Sequence, residues 1–208
     1  MNIYLLSGIF LFTIYNNILR KIFNTLEFFT SETLTEKLLD NVFVSGTHCY
    51  LCVYNLGHFL LFDDINYYEN AVTISTAYYI YDLIRIFNNY NYTLYDNTYI
   101  IHHIVSFGVI QYNVAHYSYA FFILGEISNI FYYPVYYSKK IDIGDNIKKT
   151  LHILQFVSYV ICRVGLISYY YFISLSVENI STIIFGTPIV LMGWIWSYQL
   201  FLKIQYLK

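Results

Sequence analysis

Two adjacent histidines, His102 and His103, and an upstream aspartate, Asp82, are the residues of this chain best suited to chemistry. An imidazole held by a carboxylate has one ring nitrogen oriented and the other free to act, as a general base or as a nucleophile that accepts an acyl group. Neighbouring side chains on a helix point about 100° apart. The sequence therefore predicts that one histidine faces a site while the other, or Asp82, orients it. Glu126 and Arg163 are the other charges set deep in apolar stretches, each costing about 2.5–3.5 kcal/mol at the centre of a membrane helix. An ion pair between them is the expected remedy, either as a lock between two helices or with Glu126 reserved for a substrate head group or a proton. Metal chemistry is not expected. The six histidines form no HxxxH or HxxHH pattern, and the Cys49, Cys52, His48 and His58 group lies in an apolar run where thiols read as packing.

Helical spacing extends these residues into stripes. Ser75, Tyr78 or Tyr79, and Asp82 share one face, as do Tyr99, His102 and His103, Ser106 and Asn113. Glu126, Asn129 and Tyr133 form a third stripe; Gln155, Tyr159 and Arg163 form a fourth. Polar stripes are costly against lipid, so the four helices are expected to face one another around a cavity. As a bare pattern this serves interhelical hydrogen bonding as well as catalysis.

The elements that must carry them follow from composition. The chain has 208 residues, 58% hydrophobic and 12% charged, with mean hydropathy +0.49, against about 25% charged in ordinary soluble domains. A water-soluble globule, a nucleic-acid binder and a disordered chain are all poor readings, which leaves lipid as the main solvent. Crossing about 30 Å of hydrocarbon takes roughly 20 apolar residues. Seven spans are expected: Ile3–Leu19, Val42–Phe62, Ala71–Phe87, Thr98–Val114, Tyr117–Tyr137, Thr150–Ile173 and Ile180–Leu202. The fold class is thus all-α, a polytopic membrane helix bundle, with few kinks expected from Pro134 and Pro188. The connection Arg20–Asn41 reads as an interfacial helix or a loop. Arg20, Lys21, Lys37, Lys139, Lys140, Lys148, Lys149, Lys203 and Lys208 all fall on one side of such a bundle, and Asp63, Asp64, Glu69 and Glu178 on the other. The positive-inside rule then places the N-terminus outside and the C-terminus in the cytoplasm. The first span, with no basic n-region or small-residue cleavage site, reads as retained.

From the third span to the sixth the sequence resembles the TLC-domain family, named for TRAM, Lag and CLN proteins. The likeness is carried by Tyr81-Asp82-Leu83, His102-His103-Ile104-Val105-Ser106, Gly125-Glu126-Ile127-Ser128-Asn129 and the late Arg163, a core signature over 71–173 of a single domain spanning 1–208. The resemblance implies a multi-pass protein of the endoplasmic reticulum or a related endomembrane. It implies a role in lipid metabolism or homeostasis, with membrane lipids as partners. In the family's ceramide synthases, paired histidines belong to the active site that acylates sphingoid bases from acyl-CoA. That role would fall here on His102 and His103, with acyl-CoA as co-substrate and no cofactor. The synthase motif continues with His-Asp and a further Asp, whereas this chain has Glu126, Ser128 and Asn129, which resembles the branch outside the synthases. Two functions stay open: acyl transfer to a lipid amine or hydroxyl, and non-enzymatic lipid binding, sensing or membrane-protein traffic.

Overall fold

The computed structural model describes residues 3–25, 39–88, 94–111, 118–141, 143–176, 180 and 182–205. Among these residues the chain is helical, without strands, and forms 7 rods. Helix α1 is Ile3–Thr25. A π-helical turn, Leu39–Val44, runs into α2, Ser45–Phe62. Helices α3, Ile65–Asn88, and α4, Leu94–Gln111, follow. Helices α5, Ser118–Asn129, and α6, Tyr132–Ser138, form one broken rod. Helix α7 covers Asp145–Leu175 as one 31-residue rod with a π-helical stretch, Val160–Ile167, in its middle. A last π turn, Thr182–Gly186, leads into α8, Thr187–Gln205. Each expected span coincides with one rod. Among the described residues two rods, Asp145–Leu175 and Ile183–Gln205, are long and apolar enough to cross a membrane by length and composition.

Local chemistry explains the joints. Asp63 ends α2 in the left-handed region at φ 52°, its N–H donating to the Phe59 carbonyl at 2.8 Å; a short polar side chain tolerates that conformation. Asp64 Oδ1 then accepts the Asn66 backbone N–H at 3.0 Å and caps α3. Two acidic residues thus turn α2 tightly back on α3.

Of the two prolines, Pro134 marks a break in its rod. Proline lacks an N–H and its ring clashes with the carbonyl four residues earlier, here Ile130. The fifth rod breaks there, at Ile130–Phe131, and the Tyr50 hydroxyl donates to the Ile130 carbonyl at 3.0 Å. Of the Arg20–Asn41 connection, helix α1 takes the part up to Thr25, and residues 26–38 lie outside the described residues.

Helix α3 is the hub, packing on α1, α2 and α4, while α5 packs against α2, α4 and α7, and α8 closes onto α4 and α7. One apolar core joins Phe12, Leu56, Ala71, Ala77 and Phe122; a second joins Val105, Val109, Phe121, Ile167 and Val190. Large apolar side chains also face outward, among them Phe10, Leu11, Leu61, Phe62, Phe172 and Tyr198, each more than half exposed. An outer apolar belt around a partly polar interior inverts the arrangement expected in water.

Candidate functional site

The four polar stripes meet. Tyr78, Tyr79 and Asp82 of α3, Tyr99, His102 and His103 of α4, Glu126 and Asn129 of α5, Tyr133 of α6 and Tyr159 of α7 border one cavity of about 70 Å³. Ser106 and Arg163 line a smaller adjoining void of about 30 Å³, which shares His102, Glu126 and Asn129 with it. Gln155 lies further along α7, in a larger cavity. Ser75 faces His48 instead, and Asn113 lies outside the described residues.

His103 Nε2 sits 2.9 Å from Asp82 Oδ2, with both side chains almost wholly buried. Arg85, one turn further along α3, donates from Nε to Asp82 Oδ1 at 2.8 Å and keeps its own side chain about a quarter exposed. The series Arg85–Asp82–His103 therefore runs from the edge of the bundle to the cavity. The Asp82 contact is one of proximity and charge without hydrogen-bond geometry, and both ring nitrogens of His103 are buried without a hydrogen-bond partner.

His102 borders the same cavity, contrary to the expectation that only one of the two histidines could. Its ring meets Trp196 of α8 edge-on at 5.3 Å and lies 5.6 Å from the His103 ring. The cavity lies where α3, α4, α5 and α8 converge, so two imidazoles diverging from α4 reach it from different sides. The His102 Nδ1 is likewise buried and unpartnered.

The expected Glu126–Arg163 ion pair is absent. Arg163 Nε donates to Ser128 Oγ at 2.7 Å, and one terminal nitrogen reaches the Gly125 carbonyl and Asn129 Oδ1, each at 3.3 Å. The guanidinium also lies over the rings of Tyr159, at 4.9 Å, and Trp196, at 5.5 Å. Its charge is met by oxygen dipoles and aromatic faces. Glu126 instead accepts the Tyr79 hydroxyl at Oε1, 3.0 Å away, and its Oε2 is buried without a partner. Ser128 and Asn129 therefore serve Arg163, and Glu126 is left facing the cavity.

Residues that the stripes did not include also shape the site. His48, wholly buried, accepts or donates one hydrogen bond at 2.9 Å with Ser75 Oγ and stacks on Tyr78 at 4.0 Å. Tyr78 in turn donates to Ser45 at 2.7 Å. His58 packs elsewhere, on Tyr54, Phe62 and Tyr67. Trp196 and Tyr132 lay in apolar or aromatic runs with no polar spacing to mark them.

A helical bundle with an apolar exterior and a buried polar cavity is the architecture of a membrane protein. The model of the TLC domain matches residues 39–205, and the chain belongs to that family, whose members are membrane proteins of lipid metabolism and lipid sensing. The matched residues hold every site residue named above and exclude α1. No curated protein and no solved structure matches the chain.

Proposed function

We propose that the histidine cavity transfers an acyl group from a thioester to the amine or hydroxyl of a membrane lipid. The observation that carries this reading is the Arg85–Asp82–His103 series, which ends on an unpartnered ring nitrogen inside the cavity. In the reaction, His103 Nδ1 takes the proton of the lipid amine or hydroxyl as its lone pair attacks the thioester carbonyl. The carbon–sulfur bond then breaks, and the departing thiolate takes the proton back from the imidazolium. Asp82 holds the ring and stabilises the transient cation, as carboxylates do in other acyl-transfer sites. Glu126 Oε2 and His102 Nδ1 are the free groups that would bind the acceptor head group.

The orientation that suits this chemistry has seven crossings, the C-terminus and the lysine-rich connections in the cytoplasm, and residence in the endoplasmic reticulum or a related endomembrane. A large charged thioester would then reach the site from the cytosol. One observation favours the alternative of binding without turnover: His103 is only 3% exposed and the cavity around it is small. Lipidomics separates the two. Cells making the wild type are compared with cells making His102→Ala/His103→Ala at equal abundance. Acyl transfer requires a lipid class that accumulates only with the wild type; identical profiles would leave binding as the function.

A further inference from the structure

A third cavity, about 330 Å³ and larger than the two at the histidines, lies between the start of α4, α6, the middle of α7 and the end of α8. Its inner wall is Tyr99, Tyr132, Tyr159 and Trp196, and each of these also borders the histidine cavity. Four aromatic rings are thus a shared partition between a large void and the candidate site. The outer rim is basic, formed by Lys139, Lys140 and Lys203.

Among the described residues no carboxylate lies within 4 Å of these three ammonium groups. Lys140 Nζ lies 5.7 Å from the Tyr136 ring centre, a contact that leaves its N–H donors available. Burial, followed by the charges of Lys203 and Lys140, pulls the Lys139 ammonium below its ordinary value. Inside the rim, Gln155 is 4% exposed and its amide oxygen has no hydrogen-bond partner. A buried acceptor without a partner calls for an explanation, and facing this cavity it suits an N–H or O–H of a bound molecule rather than a phosphate oxygen.

We propose that this cavity binds the phosphate-bearing head group of an amphiphile and feeds its apolar or reactive part through the aromatic partition toward His103. Converging cations without carboxylates suit a multiply charged anion, and lysine binds phosphate as a point charge from several directions. A soluble ion alone would not need the aromatic wall. Two sources carry the chemistry: a phospholipid entering from the bilayer, or a phosphorylated thioester arriving from the cytoplasm. The inference rests on the acyl-transfer reading only for what happens beyond the partition; the binding itself does not need turnover.

The chain has two tryptophans, Trp194 and Trp196, so Trp194→Phe makes the partition its own fluorescent reporter. The full-length Trp194→Phe protein, in uncharged detergent, is titrated with palmitoyl-CoA, with dioleoyl phosphatidic acid and with dioleoylglycerol, which lacks phosphate. A saturable change in Trp196 emission is expected with at least one phosphorylated probe and none with dioleoylglycerol. Response to palmitoyl-CoA alone names the soluble source, and response to phosphatidic acid alone names the bilayer. Replacing Lys139, Lys140 and Lys203 by Gln should weaken binding at least tenfold, and replacing all three by Arg should restore it, which separates lost charge from lost fold. His103→Ala should leave binding within about threefold even if lipid acylation is abolished or was never present. Equal affinity in the Gln variant, an equal response to dioleoylglycerol, or no response to either phosphorylated probe overturns the proposal.

Discussion

Arg163 carries its charge into the middle of α7 and meets no carboxylate there. Three oxygens, from Ser128, Asn129 and the Gly125 carbonyl, and two aromatic faces receive it instead. Hydrogen bonds to a charged group are worth about 1.5–3 kcal/mol each, and residues in one network couple by about 0.5–3 kcal/mol. Arg163→Met should therefore lower folded yield sharply. In double-mutant cycles on unfolding in mild detergent, its coupling to Ser128→Ala should exceed its coupling to Glu126→Gln by about 1 kcal/mol or more. A larger coupling to Glu126 would restore the ion pair that the structure lacks. The sequence showed that both charges were buried, because few residue types in these apolar runs are ionisable. It could not show their partners. Ser128 and Asn129 follow Glu126 within one turn of α5, and regular helical counting cannot say which of three neighbours a long arginine will reach. A further obstacle is local: Arg163 lies in the π-helical stretch Val160–Ile167, which shifts helical phase without any mark in the composition.

At the scale of elements, the apolar runs were legible because a helix shielded from water needs a long, nearly uncharged segment, and each such run became a rod. Pro134 was visible too as one of two possible kink sites: the fifth rod is two helices, and the break offers the Ile130 carbonyl to Tyr50. The convergence of polar stripes from four helices on one cavity was also legible, since polar groups on apolar helices have few other places to go; that both His102 and His103 reach it was not. Trp196 was not, because an aromatic residue in an aromatic-rich helix has nothing to distinguish it. How close the helices come depends on small residues. An added methyl on Gly8 of α1 would stand 2.7 Å from Ala77 Cβ of α3, and neither group can rotate away. Gly8→Ala should push α1 off α3 and destabilise the protein by about 1–3 kcal/mol. Protease susceptibility of α1 in detergent checks this, and an unchanged cleavage rate would mean that the two helices have room to separate at no cost.

At the scale of the whole molecule, an apolar exterior encloses a partly polar interior, and the basic residues gather at one end of the bundle as we propose it sits in the membrane. That orientation leaves the Asn91-Tyr92-Thr93 sequon in the cytoplasm, out of reach of glycosylation, and places Asn179-Ile180-Ser181 on the opposite side. Both sequons lie wholly or partly outside the described residues. Expression in a glycosylating host should therefore give no glycosidase-sensitive shift from Asn91, scored with an Asn179→Gln variant so that only one acceptor remains. A shift in that variant would invert the bundle and move the lysine-rimmed cavity away from the cytosol.

The central claim is that a carboxylate-held histidine inside this bundle moves acyl groups between a thioester and a lipid. Its most direct test is single-turnover transfer of a radiolabelled acyl group by the purified full-length protein in nanodiscs formed from total endomembrane lipid. The wild type is compared with Asp82→Asn and with His103→Ala. The account predicts labelled lipid from the wild type, with losses of about 10²–10⁴-fold in His103→Ala, the usual scale of general-base catalysis. A comparable loss is predicted for Asp82→Asn, which keeps the shape of the carboxylate and removes the charge that orients the ring. Labelled lipid formed equally by all three proteins, or by none while the wild type still binds the acyl donor, would contradict it.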